Sequence, residues 1–183
     1  MSRRLDFTIQ FHSGFRVATG SASVGVDASV DRDEPLRGTS IKGVMAAAGR
    51  LTLGLPEADT EAVFGSEAVP SPWFWSNARF GNDVRVEPRH RVAIDPDTHT
   101  ALKDHLLLGE VQHASTASFY VEQIRGLAEG LSQRHQLILT ACARAVHALG
   151  AQRRRGLGWV GITGGLDLQD AHYTELLTLT GRS

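Results

Sequence analysis

The first clear pattern in the chain is an alternation of apolar and polar residues near its start. Residues 5–17 open with apolar side chains at every second position, and this period of two predicts a β-strand. The apolar face consists of Leu5, Phe7, Ile9 and Phe11. A strand with one apolar face and one polar face fits a sheet that packs one side on a core.

A helical pattern follows at residues 40–53. This segment is rich in alanine and other strong helix formers, and Thr39 or Ser40 stands where a capping side chain is expected. A glycine and a proline follow the last apolar residue, so the helix is predicted to end there. Residues 57–64 are expected to add one more helical turn.

Two strands and a second helix are predicted farther along. Residues 73–80 and 117–124 are short runs rich in aromatic or alternating apolar residues, which is typical of strands. The aromatic side chains of the first run suit a core better than a base-stacking surface. Residues 132–149 repeat apolar side chains at helical spacing, with Ser132 as the expected cap and Gly150 as the expected stop.

The segment between those two strands, residues 84–116, is too polar for a buried element. Two shorter alternating pieces flank the turn signal Asp95-Pro96-Asp97-Thr98. A segment of this length inside one domain is usually functional or disordered. We therefore expect a protruding β-hairpin arm at about residues 85–116.

The order of elements predicts the fold class. An apolar strand is expected to end near Ile162, and a short amphipathic tail follows at about residues 165–183. The order is therefore strand, helix, strand, strand, helix, strand. That is the α+β, ferredoxin-like or RNA-recognition-motif topology βαββαβ, with the arm inserted between the middle strands. We expect a single domain over residues 1–183.

Composition excludes little about function. The chain has 183 residues, is 42% hydrophobic and has a net charge of -1 with a pI near 6.7, so any basic surface must be local. Lys42 and Lys103 are the only lysines, and the abundant arginines are the better bidentate phosphate ligands. Cys142 stands alone, which excludes an internal disulfide and a cysteine-based zinc site. The sequence has no membrane-spanning run, so we expect no membrane partner and a cytoplasmic location.

Two segments carry candidate phosphate chemistry. Lys42 stands in the first turn of the predicted helix, where the helix dipole disfavours a cation unless an anion is bound beside it. The second segment joins three arginines to a glycine-rich turn, which suits a phosphodiester backbone or, equally, a solvated loop. Its residues are Arg153, Arg154, Arg155, Gly156 and Gly158. No Walker or Rossmann fingerprint is present.

Several motifs together resemble one family. The sequence Gly-Thr-Ser-Ile-Lys-Gly at residues 38–43, followed by Arg50, resembles the Gly-Ser-Ser-Leu-Lys-Gly and arginine motif of RAMP proteins, the repeat-associated proteins of CRISPR effector complexes. Phe64-Gly65 is similar to the Phe-Gly that follows that motif. Residues 91–95, Thr98, Ala101, Glu110, Val111 and Phe119 resemble the thumb segment of type III backbone subunits. Residues 155–158 resemble the glycine-rich loop of the family.

The resemblance implies a modified RNA-recognition-motif fold and a backbone subunit of a type III-like CRISPR effector. It implies as partners the CRISPR guide RNA, the target RNA, further copies of the chain and other effector subunits. We assign guide RNA contacts to residues of the helix motif and of the glycine-rich loop. The assigned residues are Arg37, Thr39, Ser40, Lys42, Arg50, Arg153, Arg154, Arg155, Gly156 and Gly158.

The resemblance also implies a catalytic residue. Asp27, in a Gly-x-Asp context before the helix motif, occupies the place of the aspartate that supports metal-dependent cleavage of target RNA in type III backbone subunits. We expect Asp27 to hold a divalent metal, Mg²⁺ in our assignment, or to orient the ribose 2′-hydroxyl. A loop aspartate that makes a local turn bond is the structural alternative. Asp31 and Asp33 match less critical positions.

Two other functions stay open at this point. The first is a RAMP subunit that binds RNA without cutting it, since Arg37 stands where the family usually has proline and the chain is short for a backbone subunit. The second is a stand-alone nucleotide-binding enzyme that uses the glycine-rich loop for a small phosphate ligand. No nucleophile pair or metal cluster accompanies that loop in the sequence, which disfavours the second alternative.

Overall fold

The computed structural model describes residues 4–17, 30–32, 34–151 and 156–181. Its elements follow the order β1 (Arg4–Phe11), α1 (Gly38–Ala48) with a π-helical extension (Gly49–Leu53), α2 (Glu57–Phe64), β2 (Trp73–Trp75), β3 (Arg79–Phe80), β4 (Arg85–Ile94), β5 (Ala101–His113), β6 (Thr116–Gln123), α3 (Glu129–Arg144), β7 (Val160–Gly164) and α4 (Asp170–Leu179).

The main sheet is antiparallel and has β1 near its centre. Its strands follow the order β2-β6-β1-β7, and β3 extends the sheet by pairing with β6. Strand β1 alternates between exposed and buried residues along its whole length, as its sequence predicts. Helices α1 and α3 contribute to the same core as its apolar face. The predicted ferredoxin-like βαββαβ class is confirmed, with α2, α4 and the hairpin added to it.

The hairpin arm is also confirmed. Strands β4 and β5 form a separate two-stranded sheet whose pairing runs from Arg85 opposite His113 to Ile94 opposite Ala101. Its turn is organised by Asp95, whose side-chain Oδ1 accepts hydrogen bonds from the backbone N–H groups of Asp97 and Thr98. These bonds stabilise the carboxylate and hold the pKa of Asp95 below its usual value. The turn signal in the sequence therefore has a direct physical basis.

Several predicted boundaries are wrong. Strand β1 ends at Phe11 instead of residue 17, because Phe15 leaves the main sheet and pairs with Gln112 at the base of the arm. The strand predicted at residues 73–80 is split into β2 and β3. Helix α3 begins at Glu129 and ends at Arg144, so Ser132 is inside the helix and does not cap it.

The cap of α1 differs from its prediction too. The N-cap position is Arg37, and neither Thr39 nor Ser40 caps the helix. The backbone N–H of Gly38 instead donates to the side-chain Oδ1 of Asn77 at 2.9 Å. A side chain at residue 38 would collide with the backbone oxygen of Trp75. The start of α1 therefore lies directly against the chain after β2, and only glycine fits there.

We predict opposite stability effects for the two glycines of the helix motif. Gly38→Ala forces apart α1 and the backbone of β2, which should cost about 1–3 kcal/mol of unfolding free energy. Gly43→Ala is the matched control, because a Cβ there meets nothing within 4 Å and alanine favours the helix by about 0.5–1 kcal/mol. Urea denaturation of the purified variants measures both effects. Equal stabilities would contradict the close approach at Gly38.

Candidate nucleic-acid interface

Helix α1 and the turn after α2 form a cleft that collects the motif residues. The cleft has a volume of about 360 Å³. Its lining residues are Thr39, Lys42, Gly43, Ala46, Arg50, Phe64, Gly65, Ser66, Pro70 and Ser71. The helical members recur every three or four residues and so share one face of the helix. We call this site the motif cleft.

The two cations of the motif cleft are differently placed. Lys42 is partly buried, and its Nζ lies 5.4 Å from the centre of the Trp75 ring, within range of a cation–π interaction. Arg50 is exposed and lies in the π-helical extension of α1. Within the described part of the chain, neither side chain forms an ion pair with a carboxylate. Both charges are therefore available to an anion in the cleft.

The opposite wall of the cleft is the Phe64-Gly65 turn. Gly65 has φ +79°, and a Cβ there would lie 2.6 Å from the backbone nitrogen of Ser71. The Ser71 hydroxyl donates to the carbonyl of Val63 at 2.6 Å and fixes the returning chain. Phe64 stacks on Trp75 with ring centres 5.6 Å apart. The Phe-Gly pair thus shapes the wall by its backbone conformation and its packing.

Gly43, unlike Gly65, has open space where a side chain would stand. It is exposed on α1, and a Cβ at this position would meet no atom within 4 Å. Internal packing therefore does not require glycine here. The absence of a side chain instead leaves the backbone of α1 open to a group that enters the cleft, next to Lys42.

Two of the RNA contacts predicted at the start of α1, Arg37 and Ser40, do not line the motif cleft. The Arg37 guanidinium lies 2.8 Å from Asp31 and 3.2 Å from Glu34, so it is paired with the acidic turn that precedes α1. The Ser40 backbone N–H donates to the carbonyl of Arg37. RNA contact by either residue stays a prediction, and for Arg37 it would have to compete with two carboxylates.

The glycine-rich loop lies elsewhere in the fold. Arg153, Arg154 and Arg155 fall outside the described residues. A side chain at Gly158 would collide with the carbonyl of Leu149, whereas Gly156 has open space around it. The Gly158 N–H donates to the carbonyl of Gly14 at 2.7 Å. The loop is therefore attached near the end of β1, and neither of its glycines lines the motif cleft.

Asp27, the predicted catalytic and metal-binding residue, also falls outside the described residues. The described residues nearest to it in sequence are held at the base of the arm. The Val30 N–H donates to Glu110 at 3.1 Å, and the Gln112 side-chain amide donates to the carbonyl of Asp31 at 2.8 Å. The chain that leads to Asp27 is thus anchored to β5 on its C-terminal side.

Two further findings concern the described residues only. They contain no group of three or more histidine, cysteine, aspartate or glutamate side chains arranged to hold a metal ion. None of the helices among them has the length and apolar character needed to cross a membrane.

Sequence reasoning missed two residues that do not line the motif cleft but support the elements that form it. Trp75 was assigned only to the core, yet it also contacts Lys42 and Phe64. Asn77 caps α1 from 39 residues away. The aromatic run around Trp75 was visible in the sequence, but nothing there showed that it borders a cleft, and Asn77 carries no local signal.

The family follows from a comparison with known proteins. A family model of the RAMP superfamily matches residues 15–161, which include the motif cleft, the arm and the glycine-rich segment of the sequence. The chain belongs to the RAMP superfamily. The motifs that suggested this family lie in the order that the resemblance requires.

Solved structures share the fold of this RAMP chain. One is type III-B Cmr-beta bound to cognate target RNA, at 16% identity and a TM-score of 0.62, with 88% of this chain and 60% of that chain covered. Another is type III-B Cmr-beta in the apo state, at 12% identity and a TM-score of 0.69, with 90% and 98% covered. The RAMP chain thus spans 60% of the length of the first. The search of curated proteins gave no match.

We predict that the cations of the motif cleft bind RNA phosphates. The double variant Lys42→Ala, Arg50→Ala should lose about tenfold or more in affinity for single-stranded RNA. It should also make the slope of log K against log salt less negative by about 1.4, since each phosphate contact to a single strand contributes about −0.7. Fluorescence anisotropy across a salt series measures both quantities.

The control for this experiment is Arg4→Ala. Arg4 lies on the exposed face of the sheet, pairs with Asp6 and does not line the motif cleft, so its loss changes net charge without removing a cleft cation. An Arg4 variant with the same affinity loss as the cleft variant would show that the loss is not specific to the cations of the motif cleft.

Proposed function

We propose that this RAMP chain is an RNA-binding backbone subunit of a type III-like CRISPR effector and holds the guide RNA. The observation that carries the proposal is the motif cleft, in which Lys42, Arg50 and the open backbone at Gly43 meet the Phe64-Gly65 turn. Cations without carboxylate partners beside an exposed helix backbone suit a phosphodiester group. Such contacts read no base, so the guide would supply sequence recognition by pairing.

The arm supports a role beside an RNA duplex. It forms a separate two-stranded sheet, and its first strand carries the exposed basic side chains Arg85, Arg89 and His90. The two Cmr-beta structures with this fold are parts of type III-B assemblies, one of them with target RNA bound. These facts support a proposal in which copies of the chain and other effector subunits line a guide, and each arm reaches the guide–target pair.

We further propose that the assembled complex cuts the target RNA and that Asp27 is required. Asp27 is three residues from Val30, and three peptide units span at most about 11 Å. Val30 itself is bonded to Glu110 at the base of the arm, where the target strand would pass. The described residues contain no group of three or more histidine, cysteine, aspartate or glutamate side chains that could hold a metal ion. We assign the proposed Mg²⁺ to Asp27.

RNA bound during expression tests the guide-binding proposal. The purified chain, or the complex assembled with it, should show the ratio of 260 to 280 nm absorbance typical of a ribonucleoprotein, and its RNA should contain repeat-derived transcripts. The double variant Arg154→Ala, Arg155→Ala should retain less of this RNA if the glycine-rich loop also contacts the guide. A chain that purifies as a nucleic-acid-free monomer and binds free nucleotide would favour a stand-alone nucleotide-binding enzyme.

The Asp27→Ala variant separates a nuclease from a purely structural subunit. We expect the assembled variant complex to bind guide-paired target RNA as tightly as the wild type and to cut it at least about 100-fold more slowly. Chelation of divalent metal should have the same effect on the wild type. Denaturing gels of labelled target measure the rates. Normal cutting by the variant would refute the assignment of Asp27, and no cutting by the wild type would favour the non-catalytic alternative.

A further inference from the structure

A second polar cavity lies where the arm joins the main sheet. It has a volume of about 470 Å³ and shares no residue with the motif cleft. We call it the foot pocket. Its lining residues are Phe11, His12, Ser13, Gly14, Asn82, Asp83, Arg85, His113, Ala114 and Ser115. Two imidazoles and a guanidinium thus face one space at the base of the element proposed to meet the target RNA.

The position of His113 in the foot pocket is defined by two neighbours. Its Nε2 lies 3.5 Å from a carboxylate oxygen of Glu87 on the facing strand of the arm. A Cβ at Gly14 would come within 2.7 Å of the imidazole Cε1, so the ring lies against a backbone that has no side chain there. Within the described residues, Nδ1 of His113 has no hydrogen-bond partner. One nitrogen therefore faces a carboxylate and the other is available to a ligand.

The other charged groups around His113 leave the pocket suited to an anion. Asp83 is the acidic side chain among the lining residues, and its carboxylate accepts the Ser115 backbone N–H at 2.7 Å, which lowers its pKa. Arg85 pairs with His113 in the register of the arm and lines the same pocket. His12 lines it from the end of β1. Among the described residues, the titratable groups that face His113 across the pocket or the arm are thus Glu87, Arg85, His12 and Asp83.

An exposed tryptophan adjoins the foot pocket. Trp159 has 65% of its surface exposed, although a large aromatic side chain is usually buried at least in part. Its backbone N–H donates to the Ser13 hydroxyl at 2.9 Å, and its carbonyl accepts the His12 N–H at 2.8 Å. An exposed indole whose backbone is bonded to two residues of the pocket suits one nucleotide, with the base stacked on the ring and the phosphate in the pocket.

We propose that His113, positioned by Glu87, donates the proton to the leaving group when target RNA is cut. The 2′-hydroxyl loses its proton to solvent and attacks the adjacent phosphorus. The bond from phosphorus to the 5′-oxygen breaks, and the His113 imidazolium gives its proton to that oxygen. The products are a 2′,3′-cyclic phosphate and a 5′-hydroxyl, and solvent restores the proton on His113. This proposal rests on the ribonuclease activity proposed above.

The roles around His113 differ. His113 is the catalytic residue, because its imidazole would touch the leaving oxygen. Glu87 and Gly14 are positioning residues, since one orients the ring by its charge and the other leaves room for it. Arg85 would neutralise charge on the phosphate.

The test uses two target RNAs in the assembled complex, one natural and one with sulfur in place of the bridging 5′-oxygen at the cut position. His113→Ala should slow cutting of the natural RNA by about 10²–10⁴-fold, the usual contribution of a general acid. The same His113→Ala variant should cut the sulfur RNA at nearly the rate of the wild type, because a thiolate leaves without needing a proton. Glu87→Gln should give a smaller loss with the same rescue.

The matched control is His147→Ala, since His147 lines a different groove, between α3 and α4. The complex that carries this variant should cut both RNAs at the wild-type rate. Normal cutting of natural RNA by His113→Ala, or an equal loss on both RNAs, would overturn the proposal, and the second result would indicate a structural role. Asp27→Ala should fail on both RNAs. A wild-type complex that cuts neither RNA would overturn the ribonuclease function itself and this inference with it.

Discussion

The packing of Trp75 connects the core of this protein to its candidate RNA site. The indole is buried, its Nε1 donates to the Met45 sulfur at 3.4 Å, and its ring stacks on Phe64. The same ring faces the Lys42 ammonium, and the Trp75 carbonyl excludes a side chain at Gly38. One strand residue therefore determines how closely α1 approaches the sheet, where the Phe-Gly turn lies and where the cation of the motif cleft is held.

The five glycines of the family motifs divide into two physical classes, and the division clarifies the candidate sites. At Gly38, Gly65 and Gly158 a side chain would collide with a neighbouring backbone, so these glycines serve the fold. At Gly43 and Gly156 a side chain would meet only open space. Glycines of the second class leave the backbone exposed. A phosphate can approach such a backbone closely, because no side chain stands in its way.

The sequence predicted those parts of the fold whose signals are local. The alternation in β1, the helix-forming composition of α1 and the turn around Asp95 each depend on nearby residues, and each is confirmed. The ordered motifs also led to the correct family.

Long-range contacts account for most of what the sequence did not predict. The cap of α1 comes from Asn77 and replaces the expected Thr39 or Ser40, and Phe15 pairs with the arm instead of extending β1. The pairing of Glu87 with His113 depends on the register of the hairpin, which periodicity alone does not fix. The residues of the candidate site were predictable as motif residues, including the Phe64-Gly65 wall, but the meeting of those motifs in one cleft was not.

The most direct test of the central claim, that the motif cleft holds guide RNA, is ultraviolet cross-linking of the assembled complex followed by mass spectrometry of the RNA-bound peptides. We expect cross-links in the peptides that carry Lys42, Arg50 and the Phe64-Gly65 turn. Cross-links confined to the exposed sheet face around Arg4 and Tyr120, with none in the cleft peptides, would contradict it.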